Sequence, residues 1–147
     1  MNKAEQLRRS GRLRVWTQAA RPKTLPAAAA PVLIGTALAY ADGGLHVGAA
    51  VAALISAALI QIGTNFHNDY SDYSSGADTD DRKGPLRVTH AGLVSPAVMR
   101  RATTFVFAAA VAVGGYLIWR GGWPIALIGG CSILSAIWYS ATSFSLA

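Results

Sequence analysis

The chain has 147 residues, of which 52% are hydrophobic and 14% are charged, and its mean hydropathy is positive. This composition is too apolar for an ordinary soluble domain and predicts an integral membrane protein with several spans. The formal net charge is +6, but no nucleic-acid-binding motif is present, so we expect no nucleic-acid partner. The single cysteine, Cys131, excludes an intrachain disulfide framework.

A basic arm opens the chain. Residues 1–23 carry seven of the thirteen Lys and Arg residues. Such a flank sets the orientation of the first span, or lies as a short helix on an anionic membrane surface. No obvious small-residue cleavage site follows it, so we do not expect a removable signal peptide. The arm ends in Arg21-Pro22-Lys23-Thr24-Leu25-Pro26, whose prolines favour the start of a helix.

Four apolar runs follow the arm. We predict membrane spans at about residues 24–41, 47–66, 103–119 and 123–139. Short Gly-Gly turns after the first and third spans favour antiparallel neighbours. Ser95 and Pro96 are typical of an N-cap and a first helical position, so a helix is expected to start there. The predicted fold is an all-α, multi-pass transmembrane helical bundle that forms a single membrane domain in the lipid bilayer.

Residues 67–101 form the long loop between the second and third predicted spans, and acidic residues concentrate around its start. Five of the seven acidic residues in the protein lie there: Asp69, Asp72, Asp78, Asp80 and Asp81. Together with the arm, this side of the bundle holds twelve of the thirteen Lys and Arg residues. The positive-inside rule therefore predicts a cytoplasmic N-terminus and a cytoplasmic Asp-rich loop, in the cell membrane.

Oxygen-bearing side chains follow one another at helical spacing where this loop begins. If the second span stays helical past residue 66, four of them share one face: Asn65, Asn68, Asp69 and Asp72. Hard oxygen donors suit Mg²⁺ or Ca²⁺, and Mg²⁺ takes one or two carboxylates while substrate phosphates complete its coordination. Three basic residues downstream are suited to bind the same phosphates: Arg82, Lys83 and Arg87. The pattern indicates a site for Mg²⁺ and a diphosphate.

Two plainer interpretations stay open for this segment. Residues 78–83 also fit a solvated loop whose charges cancel, and Asn68 and Asp72 are typical caps of helices or turns. Against the second interpretation, like charges three residues apart on a helix repel one another unless a cation joins them.

The same residues resemble the first acidic motif of the UbiA superfamily of intramembrane prenyltransferases, Asn-x-x-x-Asp-x-x-x-Asp. Asn68 and Asp72 match its first two positions, and Gly76 stands at the third. The branch that acts on 1,4-dihydroxy-2-naphthoate has Asn-Asp-Tyr-x-Asp-x-x-x-Gly-x-Asp followed by Asp-Arg-x-Gly-Pro-x-Arg. Residues 68–78 and 81–87 fit this variant, and residues 21–26 are similar to the opening motif of that branch.

The resemblance implies transfer of a polyprenyl group from its diphosphate to 1,4-dihydroxy-2-naphthoate, with loss of the carboxylate, to give demethylmenaquinone. It implies three catalytic residues that also hold Mg²⁺, namely Asn68, Asp69 and Asp72. It implies Asp78 as a further metal ligand, and as diphosphate-binding residues Asn65, Arg82, Lys83 and Arg87.

Members of that superfamily generally have more helices and a second acidic motif, which these 147 residues lack. We therefore expect a truncated or split form that needs a C-terminal half polypeptide or self-association, or an inactive remnant. Two further alternatives remain: another aromatic acceptor within the superfamily, and a membrane protein without catalysis that binds a cation or assembles with a partner.

Overall fold

The computed structural model describes residues 3–9, 11–75 and 86–141. Every regular element in these ranges is a helix. In chain order they are α1 (Lys3–Arg9), α2 (Arg12–Ala20), a 3-10 turn (Pro22–Thr24), α3 (Leu25–Ala41), α4 (Val47–Ser75), α5 (Pro96–Gly121) and α6 (Trp123–Ala141). The predicted all-α class is confirmed.

Three helical stretches are long and apolar enough to cross a membrane: Arg12–Ala41, Val47–Ser74 and Pro96–Gly121. The stretch Trp123–Trp138 is also apolar but shorter. Large apolar side chains such as Leu33 on α3, Phe105 on α5 and Leu134 on α6 are exposed. Lipid tails are as apolar as these side chains, so the exposed faces suit a bilayer and not water. The described helices are those of a multi-pass membrane bundle.

Helix α4 is the central element, in contact with α2, α3, α5 and α6. The sequence predicts a span that ends near residue 66, whereas the helix continues to Ser75. Its 29 residues measure about 43 Å at the usual helical rise, whereas a hydrocarbon core is about 30 Å thick. The last turns of α4, rich in Asn, Asp, Ser and Tyr, therefore extend past the apolar layer. Because these residues have modest helix propensity, tertiary contacts must hold the extension.

The buried core of the described residues lies at this polar end of α4. It joins α2, α4, the turn before α5 and the first turn of α5 through Val15, Ala19, Phe66, Val88, Val94 and Met99. The Trp16 ring packs beside the Phe66 ring, with centroids 5.4 Å apart. Apolar burial is strongly favourable only where water is the alternative, so a core of this kind suits the aqueous end of the bundle.

A hydrogen-bonded clasp, made by Thr24, Gln61 and Asn65, ties the start of α3 to α4. Asn65 Nδ2 donates to the Ala20 carbonyl (2.9 Å) and to Thr24 Oγ1 (3.0 Å). Gln61 Nε2 donates to the same Thr24 oxygen (3.2 Å), which in turn donates to the Arg21 carbonyl (2.9 Å). Asn65 is 3% exposed, so these partners replace water for its amide.

Both ends of α5 follow from local sequence. Ser95 Oγ accepts the Val98 amide (3.4 Å) and Pro96 fills the first turn, which confirms the predicted helix start. At the other end Gly122 has a φ of 77°, a left-handed conformation that glycine adopts without strain. This one residue turns the chain from α5 into α6.

Gly63 marks a close approach of α4 to α5, and its replacement provides a stability test. A Cβ at Gly63 would lie 2.7 Å from a ring carbon of Phe107, whereas a Cβ at Gly114 meets nothing within 4 Å. We expect Gly63→Ala to destabilise the bundle by about 1–3 kcal/mol relative to Gly114→Ala, because the ring must shift in a packed site. Thermal unfolding in detergent, followed by helical circular dichroism, measures the difference. Equal midpoints for the two variants would show that this approach does not limit packing.

The clasp predicts a second, local effect. We expect Asn65→Ala to leave the Ala20 carbonyl without its amide partner, at a cost of about 1–3 kcal/mol, and to loosen the start of α3. Tryptic cleavage after Lys23 should then become faster. Thr64→Ala is the matched control, because the Thr64 hydroxyl bonds to the Ile60 carbonyl of its own helix (2.8 Å). Identical cleavage rates in the parent and in Asn65→Ala would contradict this role of the clasp.

Candidate functional site

The polar residues at the end of α4 separate into an inner pair and an outer pair. Asn65 and Asp69 face inward and are 3% and 1% exposed. Asn68 and Asp72 are partly exposed, and the Asp72 side chain keeps 22% of its surface accessible. Each pair has a spacing of four residues, so each forms its own stripe on the helix. The single oxygen-lined face predicted from the sequence is therefore two adjacent stripes with different surroundings.

Asp69 is joined to the segment that precedes α5. Its Oδ2 accepts the backbone amide of Val88 and its Oδ1 accepts that of Thr89, both at 3.0 Å. An ionised carboxylate forms stronger hydrogen bonds than a neutral acceptor does, and here both oxygens are used. This geometry explains how a carboxylate that is almost fully buried is tolerated.

Residues 87–94 form a compact turn around this contact. The Ala91 amide donates to the Arg87 carbonyl (3.0 Å), and the Leu93 amide donates to the Val88 carbonyl (2.9 Å). The Val88 side chain is completely buried in the core. Gly92, at a φ of 65°, supplies the left-handed conformation that the turn requires. The backbone beside Arg87 is thus held by the Asp69 carboxylate, by the turn and by the core.

Arg87 forms an ion pair with Asp72, in which Nη2 donates to Oδ2. The Arg87 side chain is 8% exposed, so its charge is largely removed from water. Removal of one partner of such a pair leaves a poorly solvated charge behind, which is costly. Asp69 and Asp72 lie about one helical turn apart, so α4 binds the side chain of Arg87 and the backbone amides of the next two residues.

The structure thus brings together Asn68, Asp72 and Arg87 of the predicted site and places Asn65 in the clasp. Asp78, Arg82 and Lys83 lie in residues 76–85, outside the described ranges. Among the residues that the structure describes, no group of three or more His, Cys, Asp and Glu side chains is arranged to hold a metal ion.

Sequence reasoning missed three partners at this end: the Thr24 hydroxyl and the amides of Val88 and Thr89. The amides carry no sequence signal, because every residue except proline has one. Thr24 offered only a weak signal, as a polar residue between two prolines. The arrangement places the Asp72 carboxylate beside the Arg87 guanidinium group, with Asn68 four residues before Asp72 on α4. Oxygen ligands of this kind are suited to a metal ion, and a guanidinium group is suited to bind phosphate.

Comparisons with known proteins indicate the family to which the chain belongs. The model of the UbiA prenyltransferase family matches residues 28–146. The 1,4-dihydroxy-2-naphthoate octaprenyltransferase of Escherichia coli (strain K12) is 38% identical over 135 residues, which cover 88% of this chain and 44% of that protein. The protein of the same name from Mycobacterium tuberculosis (strain ATCC 25618 / H37Rv) is 38% identical over 130 residues, with coverages of 87% and 44%.

A third relative, the 1,4-dihydroxy-2-naphthoate octaprenyltransferase of Bacillus subtilis (strain 168), is 33% identical over 112 residues, covering 76% of this chain and 36% of that protein. The chain thus spans less than half the length of these curated relatives. No solved structure matches it significantly. The extent of the family match, over an all-helical membrane bundle with the acidic motif at one end, shows that this chain belongs to the UbiA prenyltransferase family.

Proposed function

We propose that this chain forms the diphosphate-binding part of an enzyme that transfers a polyprenyl group from its diphosphate to 1,4-dihydroxy-2-naphthoate. The acceptor is supported by the names of the relatives. The observation that carries the proposal is the Asp72–Arg87 pair beside Asn68, at the polar end of α4. In the reaction the allylic C–O bond and the bond between the ring and its carboxylate break, a bond between the allylic carbon and the naphthoate ring forms, and diphosphate and CO₂ are released, giving the reduced form of demethylmenaquinone.

The donors at this end fit Mg²⁺. Asn68 and Asp72 offer oxygen atoms and are partly exposed, and Mg²⁺ in proteins is bound by one or two carboxylates together with substrate phosphates. We propose that these two residues hold the ion with Asp78, which lies in the segment outside the described residues. When bound, the ion supplies positive charge that stabilises the departing diphosphate.

Basic side chains of the protein are proposed to bind the diphosphate. Arg87 contributes a guanidinium group that can bind two phosphate oxygens at once, and Arg82 and Lys83 are proposed to assist it. The allylic cation requires apolar surroundings that exclude water, which the lipid-facing bundle supplies. No protein nucleophile is needed, because the electron-rich naphthoate ring attacks the cation.

Asn65 has a different proposed role from the diphosphate contact that the sequence suggested. Its amide nitrogen carries two hydrogens, and both have partners, the Ala20 carbonyl and Thr24 Oγ1. The remaining amide oxygen is an acceptor and cannot donate to a phosphate oxygen. We propose that Asn65 positions the start of α3 against α4 and leaves the diphosphate to the arginine and lysine side chains.

We propose that the reaction takes place at the cytoplasmic face of the cell membrane. The basic arm and the Arg87 turn lie at the same end of the bundle, because α2 and residues 88–94 share one core. The positive-inside rule then assigns that end to the cytoplasm and the bundle to the cell membrane. We further propose that full activity needs a polypeptide that corresponds to the remaining length of the relatives, or self-association of this chain.

The Asp72 carboxylate provides the direct test of this function. Membranes that contain the chain, with Mg²⁺, a polyprenyl diphosphate and 1,4-dihydroxy-2-naphthoate, should yield prenylated naphthoquinol by mass spectrometry. Two arms are needed, the chain alone and the chain co-expressed with the C-terminal half of the Escherichia coli relative. We expect Asp72→Asn to lower the yield by about 100-fold or more, because loss of one stabilising group in a reaction site commonly costs that much.

Asp42→Asn is the matched control, because Asp42 is an exposed carboxylate at the opposite end of α3 and should leave the yield unchanged. EDTA should abolish the product. The proposal fails if the parent gives no product in either arm, or if Asp72→Asn and the parent give equal yields. A parallel reaction with 4-hydroxybenzoate tests the acceptor, and preference for that ring would contradict the assignment to the naphthoate.

Arg87 is expected to act on substrate binding. Arg87→Ala should raise the KM for the polyprenyl diphosphate by about tenfold or more, because a largely buried, charge-assisted contact is lost. Arg87→Lys keeps the charge but loses the planar fork, so its KM should fall between those of the parent and the alanine variant. Initial rates at varied diphosphate concentration measure this order. A KM for Arg87→Ala equal to that of the parent would exclude Arg87 from the diphosphate site.

A further inference from the structure

We infer that Asp69 is a positioning residue that sets the location of Arg87, and that it is not a ligand of the metal ion. This inference rests on the proposed function for the identity of the ligand that Arg87 meets. It concerns a residue that the sequence pattern groups with Asn68 and Asp72 as a metal ligand, so the two roles predict different experimental results.

The surroundings of Asp69 separate it from its neighbours. Asp72 is open to solvent in part, whereas Asp69 is 1% exposed. Each Asp69 oxygen accepts a backbone amide at 3.0 Å. A metal ion could reach this buried carboxylate only if the groups packed around it moved, and these groups include the Val88–Thr89 backbone, which the buried Val88 side chain also holds. In this structure the Asp69 carboxylate therefore acts as the hydrogen-bond acceptor for the backbone of residues 88 and 89.

The chemistry of this contact requires an aspartate. Two neighbouring amides need two acceptor oxygens a short distance apart, which a carboxylate supplies. Asparagine offers one oxygen and directs an NH₂ group at the second amide, so one hydrogen bond is replaced by a contact between two donors. Glutamate keeps both oxygens but places them one methylene further from α4, in a site that is almost fully buried.

Adjacency in the chain links this anchor to the phosphate-binding side chain. Arg87 directly precedes Val88, and its guanidinium group reaches Asp72, one helical turn beyond Asp69 on α4. Asp69 thus holds the backbone at residues 88 and 89, and Asp72 holds the side chain of Arg87. If the anchor at Asp69 is lost, the turn keeps its internal hydrogen bonds but its backbone loses both hydrogen bonds to α4.

Hydrogen exchange tests the anchor without any ligand. The chain in nanodiscs is compared with Asp69→Asn, Asp69→Glu and Asp72→Asn, and amide exchange is measured in peptides that contain residues 88 and 89. We expect exchange there to rise by about tenfold in both Asp69 variants, since amides that lose a buried acceptor open more readily. It should stay at the parent rate in Asp72→Asn. Unchanged exchange in both Asp69 variants would overturn the inference.

A double-mutant cycle tests whether Asp69 acts through Arg87. The dissociation constant of a non-reacting analogue, farnesyl thiodiphosphate, is measured with Mg²⁺ for Asp69→Asn, Arg87→Ala and the double variant. A positioning role predicts that Asp69→Asn weakens binding by about tenfold in the parent and by less than about twofold in the Arg87→Ala background. Equal, multiplicative effects in the two backgrounds would show that Asp69 acts independently of Arg87 and would overturn the inference.

The Mg²⁺ requirement separates the positioning role from a ligand role. The Mg²⁺ concentration that half-saturates analogue binding should rise in Asp72→Asn and stay at the parent value in Asp69→Glu, although Asp69→Glu loosens the turn. If Asp69→Glu instead needs more Mg²⁺ while the amides of residues 88 and 89 exchange at the parent rate, Asp69 is a metal ligand and the inference is contradicted. If the parent binds no analogue, the proposed function fails, and the exchange experiment still decides whether Asp69 anchors the turn.

Discussion

The two hydrogen bonds from the Val88 and Thr89 amides to the Asp69 carboxylate join the end of α4 to the start of the segment that leads into α5. They hold residues 88 and 89 against α4. The Asp72–Arg87 ion pair lies one helical turn further along α4 and depends on the same approach. A buried carboxylate and a partly buried ion pair thus lie close together, which is a costly arrangement outside a functional site.

The membrane explains why this polar structure is concentrated at one end. In the hydrocarbon layer, helices gain little from the hydrophobic effect when they contact each other. Their association depends instead on close packing at small residues such as Gly63. At the aqueous end, apolar burial is favourable again, and the core around Phe66, Val88 and Met99 forms there. This core and the Thr24–Asn65 clasp hold α2, α3, α4 and α5 together where charged groups must be positioned. The remaining faces of the helices expose apolar side chains, which suit contact with lipid.

Much of this arrangement could be predicted from the sequence because it depends on the spacing of apolar and polar residues and on composition. The helical class, the apolar helices, the Ser95 cap and the family resemblance all follow from local patterns. The extension of α4 to Ser75 did not follow, since its Asn, Asp and Ser residues have modest helix propensity and are held by distant contacts. Nor did the division between Asp69 and Asp72, because helical spacing places both on one side. Only the position of the Val88–Thr89 backbone decides which carboxylate is buried.

The central claim is that the outer stripe of α4 holds a metal ion that bears the diphosphate. Mn²⁺ prefers ligands similar to those of Mg²⁺ and is paramagnetic, so it can report on this directly. Electron–nuclear double resonance of the chain with Mn²⁺ and farnesyl thiodiphosphate should show coupling of phosphorus to the bound ion. We expect this coupling to be present in the parent and lost in Asp72→Asn. Coupling that persists in Asp72→Asn, or a bound ion without phosphorus coupling in the parent, would contradict it.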